Sequence, residues 1–245
     1  MASAINHENL ASSHSKARIL FELGLTYALI ILVIWTPRPW QKVLWWFAAG
    51  AVVVIAGLSF KGLNAMGLQW KGFLQSLWLI GTALLMATIA VIVAMKLNTL
   101  RLPVGGVTAF IKTYWMYALW ACFQQLLLQG FFLPRFLGLM KGGRAAALLA
   151  AGLFALAHLP NPVLTPVTLL WGFVACLLFL RYRNLYPLAL AHAIFGITIA
   201  ITIPGPVDHN MRVGLGYLTY GHHRHVPATP VVPGIPGIPA RSTQP

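Results

Sequence analysis

Long apolar runs, separated by short segments rich in lysine, arginine and proline, make up most of this chain. A transmembrane helix needs about 20 consecutive apolar residues, and seven runs approach or exceed that length. They lie at 19–36, 43–60, 73–95, 113–133, 145–159, 163–180 and 186–203. The pattern predicts an all-α, polytopic membrane helix bundle with about seven transmembrane helices, or eight if residues 204–220 pack back against it.

The apolar runs also divide the chain into three parts. Residues 1–18 form a polar N-terminal segment, residues 19–203 the transmembrane bundle, and residues 204–245 a polar and then Pro/Gly-rich tail that we expect to be partly disordered. The fifth run is short and rich in glycine and alanine, residues that let helices approach closely inside a bundle. We therefore expect residues 145–159 to form an interior helix.

The composition is that of a protein whose solvent is mostly lipid. Of the 245 residues, 59% are hydrophobic and 8% are charged, whereas soluble domains carry about 25% charged residues. Seventeen Lys and Arg residues against three acids give a formal net charge of +14. The basic residues are scattered over every loop, which suits anionic lipid head groups. We therefore expect the lipid bilayer, and no nucleic acid, as a partner.

Basic residues near the helix ends are unevenly divided between the two sides of the predicted bundle. Nine lie on the side of the N-terminus, at positions 16, 18, 61, 71, 135, 141, 144, 181 and 183, and six lie on the other side, at 38, 42, 96, 101, 112 and 212. Because cytoplasmic loops carry the excess of Lys and Arg, we expect a cytoplasmic N-terminus.

Polar side chains at membrane depth are costly and therefore mark candidate functional positions. The fourth run carries Gln124, Gln125 and Gln129, which fall within about 140° of one helix face. The fifth run ends near His158, and the seventh contains His192. A single membrane glutamine or histidine often only bonds a neighbouring helix. Five such groups at similar depth favour a shared polar cavity.

Residues 112–203 resemble the CPBP family of intramembrane proteases, which includes CAAX-processing enzymes and the bacteriocin-linked Abi proteins. That family has Glu-Glu-x-x-x-Arg on one helix, Phe-x-x-x-His on the next and His-x-x-x-Asn on a later one. The corresponding residues here are Gln124, Gln125 and Gln129, then Phe154 and His158 followed by a family-like Asn161, and finally His192 and Gly196. The resemblance implies a site in which a glutamate activates water against a peptide carbonyl, while the histidines assist or bind metal. It also implies substrate binding by Phe154, Asn161 and Gly196, and a bacterial plasma membrane as the location.

The departures from the family pattern change the expected chemistry. A general base must take up a proton at working pH, which a carboxamide does not do, and an amide is a poor metal ligand. The substituted side chains keep their size and their hydrogen bonds, so we expect a pocket that still binds something polar without the standard glutamate-dependent reaction. The sequence assigns no cofactor and no metal ligand set.

Three functions remain open. In the first, His158 or His192 is the general acid or base, and the three glutamines orient a hydrophobic substrate, such as an isoprenoid, a lipid or a lipidated peptide. In the second, the protein is an inactive pseudoprotease that holds a membrane partner or lipid. In the third, it is a residual intramembrane endopeptidase. Asp208 and His209, just past the last run, could fold back as an acid–base lid.

Overall fold

The computed structural model describes residues 2–58, 60 and 62–220, with side chains from residue 15 onward; the predicted tail beyond residue 220 lies outside this part. Its helices are α1 (Ala2–Trp35), α2 (Trp40–Leu58), α3 (Phe73–Ser76), α4 (Trp78–Lys96), α5 (Gly106–Gln125), a π-helical segment (Leu126–Phe132), α6 (Leu133–Leu139), α7 (Gly143–Leu156), α8 (Leu164–Tyr182), α9 (Tyr186–Thr202), α10 (Gly205–Asp208) and α11 (Leu215–Leu218). The described residues contain no strand, which confirms the all-α class.

Five helical stretches are long and apolar enough to cross a membrane. They are Ser15–Trp35, Trp40–Leu58, Phe73–Lys96, Gly106–Leu139 and Leu164–Tyr182. The other two predicted spans correspond to α7 and α9, which have 14 and 17 residues and so fall short of about 20. The membrane helix bundle is confirmed, and the count of seven stays a prediction.

The fourth predicted span is longer than its expected bounds of 113–133. Helix runs without a break from Gly106 to Leu139, through the π-helical segment. Pro134 lies in the first turn of α6, and a proline has no N–H to continue the α-helical ladder. The π-helical segment ends just before it, and such segments recur at functional sites.

Small residues let α7 pack closely against α8, while Leu148 of α7 is 55% exposed. Ala146, Ala147 and Ala150 are fully buried, and a Cβ atom added to Gly172 of α8 would lie 3.3 Å from Ala151. Helix α7 ends at Leu156, earlier than predicted. Pro160 follows closely, and Leu159, which precedes this proline, disfavours the α conformation. His158 therefore lies in the turn that follows α7.

An ion pair that the sequence analysis missed joins the first span to α6. Arg135 Nη2 and Nε lie 2.7 Å and 3.0 Å from Glu22 Oε2, and Arg18 Nε lies 2.8 Å from Glu22 Oε1. The Arg135 guanidinium also covers the Phe131 ring, 3.4 Å from its centroid. The basic residue just beyond the π-helical segment is therefore anchored inside the bundle.

Candidate functional site: a histidine-lined cavity

A cavity of about 800 Å³ lies within the bundle, and most of its wall is apolar. Aromatic side chains from several helices line it: Trp45, Tyr117, Trp120, Phe123, Phe154, Trp171 and Phe195. His158, His192 and Gln124 contribute polar groups to this wall, and Arg101 and Asn210 contribute others nearer the C-terminal end of α9. The volume falls in the range of small-molecule sites, which are mostly apolar with a few polar groups.

His158 has a tautomer set by the backbone. Its Nδ1 lies 2.7 Å from the carbonyl oxygen of Phe154. Because that oxygen can only accept, Nδ1 carries the proton, and Nε2 of the neutral ring keeps its lone pair. The side chain is buried and lines the cavity. His158 is thus prepared to accept a proton or a hydrogen bond.

His192 is held by Gln125 from the neighbouring part of the bundle. Gln125 Nε2 lies 2.9 Å from His192 Nδ1, and both side chains are buried. With the amide donating, Nδ1 accepts and Nε2 carries the ring proton. The ring centroids of Phe154 and Trp171 lie 5.8 Å and 6.3 Å from that of His192. His192 Nε2–H can therefore donate a hydrogen bond, whereas His158 Nε2 can accept one.

The structure brings two of the three glutamines to the site. Gln124 lines the cavity, and Gln125 lies behind His192. Gln129 is fully buried and does not line the cavity, and its two amide atoms have no hydrogen-bond partner among the described residues. The expected single stripe assumed α-helical rotation, whereas the helix becomes π-helical at Leu126.

Asn161 does not line the cavity, and its side chain instead forms hydrogen bonds to the backbone. Its Nδ2 donates to the carbonyl oxygens of Asp208 and Arg212 at 2.7 Å and 3.0 Å. Its Oδ1 accepts from the backbone N–H groups of Val163 and Leu164 at 3.0 Å and 2.9 Å. Its hydrogen-bonding capacity therefore serves the start of α8 and the segment after α9. Of the other two residues expected to bind substrate, Phe154 and Gly196 both line the cavity.

Tyr117 is a cavity residue that the sequence analysis missed. A Cβ atom on Gly196 would overlap the Tyr117 hydroxyl, so the ring occupies the space that a side chain at 196 would need. Gly196 follows His192 by one helical turn, which brings the phenol close to the candidate site. The available signal was spacing, because Tyr117 and Gln124 are seven residues apart and share one face of α5.

The segment after α9 folds back over the cavity, but the expected acid–base pair does not face it. Asn210, Met211 and Val213 line the cavity, whereas Asp208 and His209 do not. His209 stacks on Tyr217 with a centroid distance of 3.9 Å, and its Nδ1 donates to the Tyr217 carbonyl oxygen at 2.8 Å. Neither side chain lines the cavity, so the predicted lid chemistry has no geometric support.

The described residues include no group of three or more His, Cys, Asp or Glu side chains placed to hold a metal ion. His158 and His192 line one cavity, but protein zinc sites use at least three side-chain ligands. The residues present therefore supply two imidazoles and no complete ligand set.

The fold and the cavity define an integral membrane protein, an all-helical bundle with a buried His/Gln site. Residues 106–198, less than half of the 245-residue chain, match the family model described as type II CAAX prenyl endopeptidase Rce1-like, so this region is similar to that family. The matched region contains both histidines and all three glutamines. No curated protein and no solved structure gives a significant match to the chain.

Proposed function

We propose that this protein is a CPBP-like membrane enzyme that acts on a hydrophobic substrate by histidine acid–base chemistry. The substrate class is an isoprenoid, a lipid or a lipidated peptide. The observation that carries the proposal is the pairing of two imidazoles in complementary states on one apolar cavity. His158 has a free Nε2 lone pair, and His192 has an N–H available when Gln125 donates to its Nδ1.

The proposed reaction uses the two imidazoles in different roles. His158 Nε2 removes a proton from one position of the substrate, becomes an imidazolium and returns that proton at another position, while His192 Nε2–H donates a hydrogen bond to the negative charge that develops on the substrate. Imidazole suits the first role because its ordinary pKa lies near neutrality. Gln124 faces the cavity and orients the substrate. An isomerisation or cyclisation needs no activated water, which fits a site whose glutamates have been replaced by glutamines.

The test compares the membrane lipids and peptides of cells that express wild type, His158→Ala, His192→Ala or no protein, by mass spectrometry. At normal protein levels, the two variants should reproduce the profile of the deletion, and the accumulating species identifies the substrate. His209→Ala is the matched control, because this imidazole lies outside the cavity wall. If both cavity variants match wild type while the deletion differs, the protein is not a histidine-dependent enzyme.

An inactive pseudoprotease is the first alternative, and the half-buried amide of Gln124 favours it. This side chain faces the cavity and can bind a polar group without titrating. Under this alternative, a membrane partner or lipid co-purifies with the protein. Gln124→Leu with Gln125→Leu should release it, and His158→Ala should retain it. Release by the histidine variant alone would count against a purely binding role.

Residual intramembrane proteolysis is the second alternative, favoured by the family match to an endopeptidase. His158 and His192 would then serve as base or metal ligands. Restoring the family residues with Gln124→Glu, Gln125→Glu and Gln129→Arg should raise cleavage of a prenylated peptide sharply. Unchanged cleavage in a folded triple variant would argue against this function.

We also propose that α7 and α9 complete a set of seven spans, in a bacterial plasma membrane with the N-terminus in the cytoplasm. The contacts between loops support this arrangement. Leu185 N donates to Gly67 O at 2.9 Å, and Gly214 N donates to Leu159 O at 2.7 Å. Each contact joins two loops that an alternating seven-span path assigns to the same side.

A further inference from the structure

Arg101 places a guanidinium in the wall of a mostly apolar cavity. Its Nη1 donates to Asn210 Oδ1 at 2.8 Å, and its Nη2 donates to the carbonyl oxygens of Ala200, at 3.1 Å, and of Ile203. Its Nε is buried and has no hydrogen-bond partner among the described residues. Every partner that these contacts supply is a neutral oxygen, and the three bonds leave two of the five guanidinium N–H groups without a partner among the described residues.

No carboxylate neutralises this cation in the part of the chain that the structure describes. The ion pairs found there are those of Glu22 with Arg18 and Arg135. Asp208 lies nearby, but it forms no ion pair with Arg101 and does not line the cavity. Burial raises the pKa of the Asp208 carboxyl, and the positive charge of Arg101 opposes that shift. The positive charge at the cavity wall therefore lacks an anion in direct contact.

The point at which the Arg101 guanidinium contacts α9 sets its distance from His192. The guanidinium binds the carbonyl oxygen of Ala200, eight residues after His192. That separation corresponds to about 12 Å along the helix, or roughly ten carbon–carbon bonds of an extended chain. The cavity wall between the two positions includes Phe195, Gly196 and Ile199. The path between the cation and the imidazoles is thus mostly apolar, with the Tyr117 hydroxyl beside Gly196 as a polar group along it.

We propose that Arg101 binds the anionic head group, a carboxylate or a phosphate, of a single-chain amphiphile whose apolar chain lies along α9 toward His192 and His158. A guanidinium binds such oxyanions through charge-assisted hydrogen bonds, which are about twice as strong as neutral ones. The cavity volume suits one chain. This inference rests on the proposed function, since it names the charged end of the substrate, but binding requires neither imidazole.

The probes are stearic acids that carry a nitroxide at carbon 5, 10 or 16, added to the full-length protein in a neutral detergent. Trp171 lines the cavity beside His192, and its fluorescence is isolated as the difference between wild type and Trp171→Phe. Quenching of Trp171 should be strongest with the label at carbon 10. The methyl ester should bind about tenfold more weakly or worse, because it lacks the charge-assisted bond. Equal affinity of acid and ester would overturn the inference.

Asn210→Asp tests the cation without removing it. The new carboxylate would lie against Arg101 Nη1, and aspartate tolerates the left-handed backbone at this position, where φ is 53°. This variant should bind stearate about tenfold more weakly and the methyl ester as before. Lys112→Gln is the matched control, because Lys112 is an exposed cation outside the cavity wall. An equal effect of both variants would contradict the proposal.

Competition against the labelled acid separates the sources of the anion. Displacement by farnesyl phosphate at lower concentration than stearate assigns an isoprenoid phosphate, and the reverse order assigns a fatty acid. His158→Ala and His192→Ala should keep the preference for stearate over its methyl ester, because the head group binds at Arg101. If they do so but leave the cellular profile unchanged, the enzyme proposal fails and the binding site stands. If the two histidine variants reproduce the profile of the deletion but Asn210→Asp binds the acid as wild type does, the proposed head-group site is wrong and the enzyme proposal stands.

Discussion

At the scale of single residues, the position of Tyr117 accounts for one departure from the family pattern. The CPBP pattern has an asparagine where this chain has Gly196, and the Tyr117 ring occupies the space in front of that glycine. A phenol hydroxyl thus lies one helical turn from His192, where the family presents an amide. The polar character of this part of the cavity is kept by a side chain from another helix.

Gly196→Ala should therefore destabilise the protein. The added methyl group would overlap the Tyr117 side chain, and overpacking of this kind costs about 1–3 kcal/mol. The apparent Tm of the purified protein in detergent measures the effect. Adding Tyr117→Ala should remove much of this overlap penalty. Gly50→Ala is the control, because nothing lies within 4 Å of a Cβ there. Equal Tm losses in the two alanine variants would contradict the contact.

The buried glutamines Gln125 and Gln129 should respond oppositely to the same substitution. Gln129→Leu removes two buried polar atoms that lack partners among the described residues, and relief of that burial is worth about 1–3 kcal/mol. Gln125→Leu instead leaves His192 Nδ1 without its partner, at a similar cost. Urea or thermal unfolding of the two variants checks the signs. A loss of stability in both would indicate a partner for Gln129.

At the scale of helices, the ion pair of Glu22 and Arg135 connects α1 to the end of the longest helical stretch. The side chains of Arg135 and Glu22 are 10% and 12% exposed, so water screens the pair little. The same arginine follows the π-helical segment that carries Gln129. The ion pair therefore holds α6 in its position beyond the irregular part of the helix.

Breaking this ion pair should cost more than its formation contributes. Glu22→Gln removes the carboxylate that two nitrogens of the buried Arg135 guanidinium contact, and breaking a buried ion pair from one side costs about 3 kcal/mol or more. Combining it with Arg135→Met should restore most of the stability, because both charges of the pair are then removed together. A double-mutant cycle in unfolding free energy measures the coupling. Arg18→Gln, whose side chain is 62% exposed, should change stability by less than about 1 kcal/mol.

At the scale of the whole molecule, contacts made by loop residues define the two ends of the bundle. Asn184 Nδ2 donates to Lys71 O at 3.1 Å at one end. At the other end, Arg101 N donates to Ile201 O at 2.8 Å. Lys71 belongs to the larger of the two groups of basic residues counted in the sequence, and Arg101 belongs to the smaller. The orientation of the bundle then depends on which end the cell retains in the cytoplasm.

Cysteine labelling in intact cells tests that orientation. In a background where the free Cys122 and Cys176 are replaced by alanine, Lys112→Cys should react with a membrane-impermeant maleimide. Lys71→Cys should react only after lysis, because its end carries the larger number of Lys and Arg residues. The reverse labelling pattern would place the N-terminus outside.

The sequence by itself determined the helical membrane class and indicated the residue types of the candidate site. These follow from the lengths of apolar runs and from the cost of placing amides and imidazoles in lipid. The resemblance to the CPBP family rests on the motifs around those residues. It also predicted that the two histidines lie at a depth similar to that of the three glutamines. Such properties depend on each helix separately, so the order of residues is enough to reveal them.

Only the tertiary structure decided which side chains meet. Three contacts join different helices: the hydrogen bond of Gln125 to His192, the contact of Tyr117 with Gly196, and the ion pair of Glu22 with Arg135. Gln129 is kept away from the cavity because it lies in the π-helical segment. Such contacts depend on the rotation of each helix about its axis and on its position against its neighbours. The 3.6-residue periodicity of an α-helix no longer predicts the direction of the side chains once one segment of the helix is π-helical.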